Sequence, residues 1–153
     1  MEVVERMSPS RKILDFLMDI EKFVPVVYKD AAGKDTIGFG HLIKPGEFFQ
    51  VPMSKEQGRA LFAKDVAEHA ECIDKYVKVP LTQGQYDCLV SFVFNTGCSP
   101  LKKKMAPSLN AGDYSIVKLK LPQYVYGTNE AKQKIKINGL VKRRAKEMEF
   151  WDS

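Results

Sequence analysis

Over residues 26–47 the chain drops the helical spacing of apolar positions found on either side, and that interruption restricts the fold more than any other feature. Three short β-prone runs, Val26-Val27-Tyr28, Thr36-Ile37-Gly38-Phe39 and Leu42-Ile43, are separated by Ala31-Ala32-Gly33-Lys34-Asp35 and Lys44-Pro45-Gly46. Such punctuation predicts a small antiparallel sheet. Two or three strands are marginal by themselves, so the sheet must lean on flanking helices.

Those helices are legible. Ser8-Pro9-Ser10 opens the first, with Ser8 as its expected cap and proline in the first turn. Apolar residues recur at Ile13, Leu14, Phe16, Leu17 and Ile20 and run out near Pro25, which puts Glu21 in the last turn. Ser54 with Gln57 has the form of a capping box and begins a long helical pattern through Leu61, Phe62, Val66, Ala70, Ile73 and Val77 to Pro80. A second box, Thr82 with Gln85, opens residues 86–94, apolar nearly all round, and closes near Gly97. Beyond Pro100, short helices are expected at Leu109 and over residues 114–121, interrupted by Pro122 and Gly127. Leu140, Val141, Arg144, Ala145, Met148 and Trp151 predict a last helix. The order implies an α+β fold of one domain, residues 1–153. A small antiparallel β-sheet lobe (about 10–53) is joined by a long helix (about 54–80) to a larger helical lobe (about 81–153), with a cleft beside the sheet.

Composition narrows the function classes. No apolar run approaches the roughly 20 residues needed to cross a bilayer, so no stable membrane association is expected. The start, Met1-Glu2-Val3-Val4-Glu5-Arg6, is acidic where a signal segment is basic, so the chain is expected to be made in the cytoplasm. Cys72, Cys88 and Cys98 match neither zinc nor redox spacing and are expected to be free thiols. The net charge of +5 is uneven: the first hundred residues hold 12 basic against 14 acidic side chains, the remaining 53 hold 12 against 5. A basic C-terminal third implies an anionic partner, whether nucleic acid, membrane surface or bacterial wall. His41 and His69 are too few for a metal site, and His41 is expected to be a structural hydrogen-bonding partner. Lys102-Lys103-Lys104 is expected to be a solvated loop.

Glu21 at a helix end, Asp30 after a strand and Thr36 at the start of the next lie close enough for one small motif to bring them together. Cleaving a glycosidic bond needs an acid for the departing oxygen and a second group that attacks the sugar or holds the attacking water. The negative end of its helix and the apolar cover of Ile20 and Phe23 favour the protonated form of Glu21, which suits the acid. Thr36 offers a hydroxyl that donates and accepts, as orienting a water requires. On spacing alone, a surface glutamate and a turn-forming aspartate explain the same residues. Gly38 and Gly40 alternate through a strand, leaving room for a close approach, by a sugar backbone or by a bulge.

Those residues stand in a frame. Glu21, Asp30 and Thr36, followed by Ile37-Gly38-Phe39-Gly40-His41, closely resemble the catalytic motif of phage-type lysozymes, glycoside hydrolase family 24. The likeness continues in Leu81-Thr82-Gln83 with Gln85-Tyr86-Asp87, and in Leu89-Val90-Ser91-Phe92 with Phe94-Asn95-Thr96-Gly97. It runs on through Leu109-Asn110-Ala111-Gly112-Asp113-Tyr114 to Gly139-Leu140-Val141-Lys142-Arg143-Arg144. Residues 116–126 and Cys88 depart from the family pattern. The resemblance implies a lysozyme-like two-lobed fold and hydrolysis of the β-1,4 bond between N-acetylmuramic acid and N-acetylglucosamine, without metal or organic cofactor. It assigns the general acid to Glu21 and the nucleophilic water to Asp30 and Thr36. A basic residue near the glutamate in relatives maps to Arg144, which joins Gly38 and Gly40 as a candidate substrate-binding residue. The expected partner is bacterial peptidoglycan, not nucleic acid, met by a monomer that a separate holin or secretion system moves to the wall. A catalytically inactive peptidoglycan-binding module is the alternative.

Overall fold

The computed structural model describes residues 6–153; the acidic stretch Met1 to Glu5 lies outside them. Two compact units emerge, one of residues 10–68 and one in which residues 69–153 are joined by residues 6–9. Helix α2 (Lys55–Tyr76) runs through the boundary.

The first unit begins with α1 (Arg11–Glu21), whose N-cap is Ser10 rather than Ser8. Ser10 Oγ accepts from the Ile13 N–H at 3.2 Å, the reach a cap needs, while the Ser8 carbonyl accepts from the Gln83 side chain at 2.9 Å. Ile13 and Leu17, one turn apart, are wholly buried. The sheet follows as β1 (Val24–Lys29), β2 (Asp35–Gly38) and β3 (His41–Leu42), antiparallel in sequence order. Its support is aromatic: the Phe39 ring lies 5.2 Å from Phe23 and 5.8 Å from Phe62 of α2. His41 is 5% exposed, with Nδ1 2.8 Å from Asp65 Oδ2 of α2 and Nε2 3.0 Å from Glu47 Oε1. That makes it the structural partner the sequence suggests, tying β3 to a helix and to the following turn. The Lys44 N–H and then His41 hold the Glu47 carboxyl below its usual range. The Ser54–Gln57 capping box opens α2 as expected.

The second unit is organised around α3 (Gln83–Thr96), capped by the Thr82–Gln85 box and ended at Gly97, with Tyr86 through Val93 all buried. It packs against α6 (Asn138–Asp152), which brings Phe150 and Trp151 into the core. Lys102-Lys103-Lys104 is not a loop but part of a π-helical turn, Leu101–Met105, that buries Leu101 and Met105 and leaves the lysines in solvent. Short helices α4 (Ala106–Asn110) and α5 (Ser115–Lys120) follow, then a 3₁₀ turn at Leu121–Gln123 containing Pro122. The interruption expected at Gly127 is a hairpin, β4 (Tyr126–Thr128) with β5 (Lys134–Lys136). No described helix is long and apolar enough to cross a membrane.

One cysteine expectation is overturned. Cys72 near the end of α2 and Cys98 just past α3 form a disulfide, with Cα atoms 6.2 Å apart, while Cys88 is buried and free. Sequence spacing missed the pair because its partners meet only when the two helices pack. Closing a loop between residues 26 positions apart should stabilise the fold by about 3–4 kcal/mol through the unfolded chain's lost entropy. Cys98→Ser is therefore expected to lower the melting temperature of oxidised protein by several degrees and leave reduced protein nearly unchanged. Equal melting of parent and variant under oxidising conditions would count against the bridge.

Candidate active site

All five candidate residues of the sheet region lie in the first unit. Helix α1 stops at Glu21 because Lys22 takes φ 57°, a left-handed value uncommon for a side-chain-bearing residue, while its N–H still closes on the Met18 carbonyl at 3.0 Å. Strain of this kind costs on the order of 1–3 kcal/mol and recurs at functional positions. It leaves Glu21 on the final turn with a half-buried side chain.

Gly40 is what makes room for that side chain. A Cβ built on Gly40 would lie 2.7 Å from Glu21 Oε2, and its φ of +76° disfavours any side chain as well. Gly38, at φ +70°, is less crowded: a Cβ there would lie 3.3 Å from the Met53 sulfur and 3.8 Å from the Gly58 backbone. The alternating glycines thus serve close approach, and at Gly40 the approaching group is the glutamate carboxylate.

Asp30 is the hub of its turn. Oδ1 accepts from the N–H groups of Ala32 (2.9 Å) and Lys34 (2.8 Å), while the Asp30 backbone pairs with Gly33 and Lys34. Oδ2 has no hydrogen-bond partner among the described residues. The turn-forming and chemical readings of this residue are therefore compatible, since one oxygen serves the fold. Thr36, 2% exposed, donates its hydroxyl to the Lys34 carbonyl at 3.0 Å, so its oxygen lone pairs remain to accept.

Tyr28 is a residue the sequence reading passed over. It stands opposite Thr36 in the β1–β2 ladder, and its hydroxyl is pushed above its usual range by burial first, then by the negative charges of Glu21 and Asp30. The charges of both carboxylates are therefore felt at one phenol. The signal available in the sequence was alternation: Tyr28 and Asp30 are two positions apart on one side of a strand and its continuation.

Arg144 lies in the second unit, in a buried cluster. It does not face solvent: it is 1% exposed, its Nη1 is 3.0 Å from Glu147 Oε1 without aligned hydrogen-bond geometry, it pairs with Asn95 Oδ1, and its guanidinium sits 5.2 Å over the Phe92 ring. Arg143 and Ser91 bind the other Glu147 oxygen, at 3.3 and 2.6 Å. A guanidinium so enclosed offers a sugar no accessible donor, so any role it has in substrate binding is indirect. Grooves of about 420 and 340 Å³ run along α1 and α2, lined by residues such as Asp15, Met18 and Arg59; neither includes Glu21, Asp30 or Thr36. Among the described residues no group of three or more His, Cys, Asp or Glu side chains is arranged to hold a metal ion.

Comparison with known proteins is consistent with this frame. The family model described as phage lysozyme matches residues 18–147. The endolysin of Acyrthosiphon pisum secondary endosymbiont phage 1 is 32% identical over 129 residues, 82% of this chain and 85% of that protein. A SAR-endolysin of Escherichia phage Mu is 32% identical over 137 residues, 89% of this chain and 76% of its own. Among solved structures, the endolysin from Escherichia coli O157:H7 phage FAHEc1 superposes with a TM-score of 0.81 at 29% identity, covering 96% of this chain and 94% of the other.

Proposed function

The chain belongs to the phage lysozyme family and is a glycoside hydrolase with the α+β lysozyme-like fold, and we propose that it cleaves the β-1,4 bond between N-acetylmuramic acid and N-acetylglucosamine of bacterial peptidoglycan, with Glu21 as general acid. The observation that carries this reading is the seating of the Glu21 carboxylate against Gly40, beside the sheet whose β1–β2 turn carries Asp30 and whose strand β2 carries Thr36. Glu21 gives its proton to the oxygen leaving the sugar as the glycosidic bond breaks. A water bonds to the anomeric carbon in its place, delivering one proton to the free Asp30 oxygen and keeping the other as the new hydroxyl, from which the Thr36 oxygen accepts a hydrogen bond. The turn's claim on Asp30 Oδ1 and the Lys34 carbonyl's claim on the Thr36 hydroxyl orient both groups before substrate arrives, which is the preorganisation such a site needs. The bare backbone at Gly40 leaves the Glu21 carboxylate its place, and buried Gly38 serves the packing of the strand against Met53 and Gly58.

Digestion of purified peptidoglycan, followed by product masses, tests the reading. Hydrolysis yields fragments with a new reducing muramic end that carries one added water. Products one water lighter would identify a transglycosylase instead, and tight binding without products an inactive module. In the same assay Asp30→Asn is expected to slow turnover strongly and Thr36→Val less, because the aspartate can still hold the water. This reading has a separate holin or secretion system bring the chain to the wall, so cells expressing the chain alone should remain intact.

A further inference from the structure

We propose that the outward face of the β4–β5 hairpin is a second docking surface for peptidoglycan, in which Lys134 and Lys136 take the carboxylates of its stem peptides and Tyr126 lies against a sugar ring. This rests on the reading of peptidoglycan as substrate and adds a contact outside the proposed catalytic residues.

Strand alternation divides the hairpin into two unlike faces. Tyr126 stands opposite Lys136, Thr128 opposite Lys134, and Gly127 opposite Ile135. Tyr126, Thr128, Lys134 and Lys136 therefore share one face and Gly127 and Ile135 the other. The other face carries the apolar contact: Ile137 folds against Gly127, its N–H reaches the Val125 carbonyl at 2.8 Å, and Val125 is buried, while Ile135 is itself 41% exposed. The Tyr126 face is in solvent, with Tyr126 50% exposed and Thr128, Lys134 and Lys136 exposed beside it.

The chemistry of that face is specific. Lys134 Nζ stands 4.7 Å from the centre of the Tyr126 ring, which orients an aromatic surface beside a cation. Lys134 and Lys136 point the same way from alternate positions, roughly 6.6 Å apart along the strand. Neither is paired with a carboxylate among the described residues. Elsewhere in the same unit, Lys118 is matched to Asp152 at 2.6 Å and Lys146 to Glu149 at 2.9 Å. From Tyr124 to Lys142 the sequence carries four lysines against the single Glu130. Two like charges held side by side with no counter-ion repel, and an arriving anion relieves that repulsion.

The face is too small for a duplex, whose binding depends on many phosphate contacts, and it lacks the broad apolar surface that a membrane-bound element inserts. A peptidoglycan strand presents what this face complements: sugar rings interleaved with peptide carboxylates.

The test measures sedimentation of the full chain with purified, protein-free sacculi, on ice and after brief contact. Tyr126→Ser/Lys134→Gln/Lys136→Gln is expected to bind about tenfold more weakly than the parent. Lys134→Gln/Lys136→Gln, which leaves the aromatic in place, should lose part of that and shed most of the salt dependence. Lys102→Gln/Lys103→Gln makes the same change in charge away from the hairpin and should bind as the parent does. Sacculi whose stem-peptide carboxylates have been amidated should bind the parent and Lys134→Gln/Lys136→Gln alike, while the variant that also lacks Tyr126 still binds them more weakly. Parental binding by both hairpin variants would overturn the proposal, as would an equal loss in the Lys102/Lys103 control. So would an equal hairpin-dependent loss of binding to phosphatidylglycerol vesicles or to duplex DNA. Product release by the parent from a soluble muramyl oligosaccharide, measured separately, decides the hydrolytic reading. A parent that releases nothing yet docks through the hairpin leaves the docking surface standing and removes the hydrolase.

Discussion

Glu21→Gln is expected to leave a folded protein that still binds peptidoglycan and to reduce its cleavage by about 10² to 10⁴, or more if departure of the sugar oxygen depends wholly on protonation. Glutamine keeps the shape that fits against Gly40, so the end of α1 and the strained Lys22 have no reason to move. Its amide can hydrogen-bond but has no acidic proton to give. The separation of effects is the point: binding to sacculi and melting temperature stay near the parent's while turnover collapses. A structural glutamate would show the opposite pattern, with stability and rate falling together. If folded Glu21→Gln clears peptidoglycan at close to the parental rate, the acid lies elsewhere.

The second large effect is on stability. Arg144→Ala is expected to cost about 3–5 kcal/mol, read as a fall in the denaturant midpoint with an unchanged slope. The deletion empties the space of a fully buried long side chain over Phe92, strips Asn95 of its partner, and leaves Glu147 with Arg143 and Ser91 alone. Burial already holds the Glu147 carboxyl above its usual range, with Arg144 the strongest opposing influence. A carboxyl raised in the folded state favours folding when protonated, so its contribution is full below the usual carboxylate range and is lost as pH rises through the folded value. Removing Arg144 raises Glu147 further, so the variant's deficit should widen as pH rises above the ordinary glutamate range and shrink toward acid. A deficit independent of pH would mean that the cavity alone explains the loss.

Legibility followed how local the deciding physics was. Both capping boxes, at Ser54 and Thr82, were readable because a span of four residues suffices to make them. The helix of residues 86–94 was readable because an element apolar on every side has nowhere to go but the core. The first cap was misplaced by two residues because two serines flank Pro9, and only the backbone decides which hydroxyl reaches the third N–H. The π-helical turn at Leu101–Met105 was hidden because three consecutive lysines look solvated in any conformation, and what recruits them into a helix is the burial of Leu101 and Met105 against other elements.

By itself the sequence determined the family frame, the order of the first sheet and the main helices, and the residue types at Glu21, Asp30 and Thr36, because each rests on short-range spacing that survives without knowledge of the partner. Tertiary structure decided which atoms of those residues are engaged. It assigned one Asp30 oxygen to the turn, tied the Thr36 hydroxyl to Lys34, set Gly40 beneath the Glu21 carboxylate and brought Tyr28 into the field of both acids. It also joined Cys72 to Cys98 and enclosed Arg144 with Glu147. Residues far apart in the chain become neighbours only once apolar faces are buried together, and hydrogen-bond and ion-pair energies depend on the distances and exposure that burial creates.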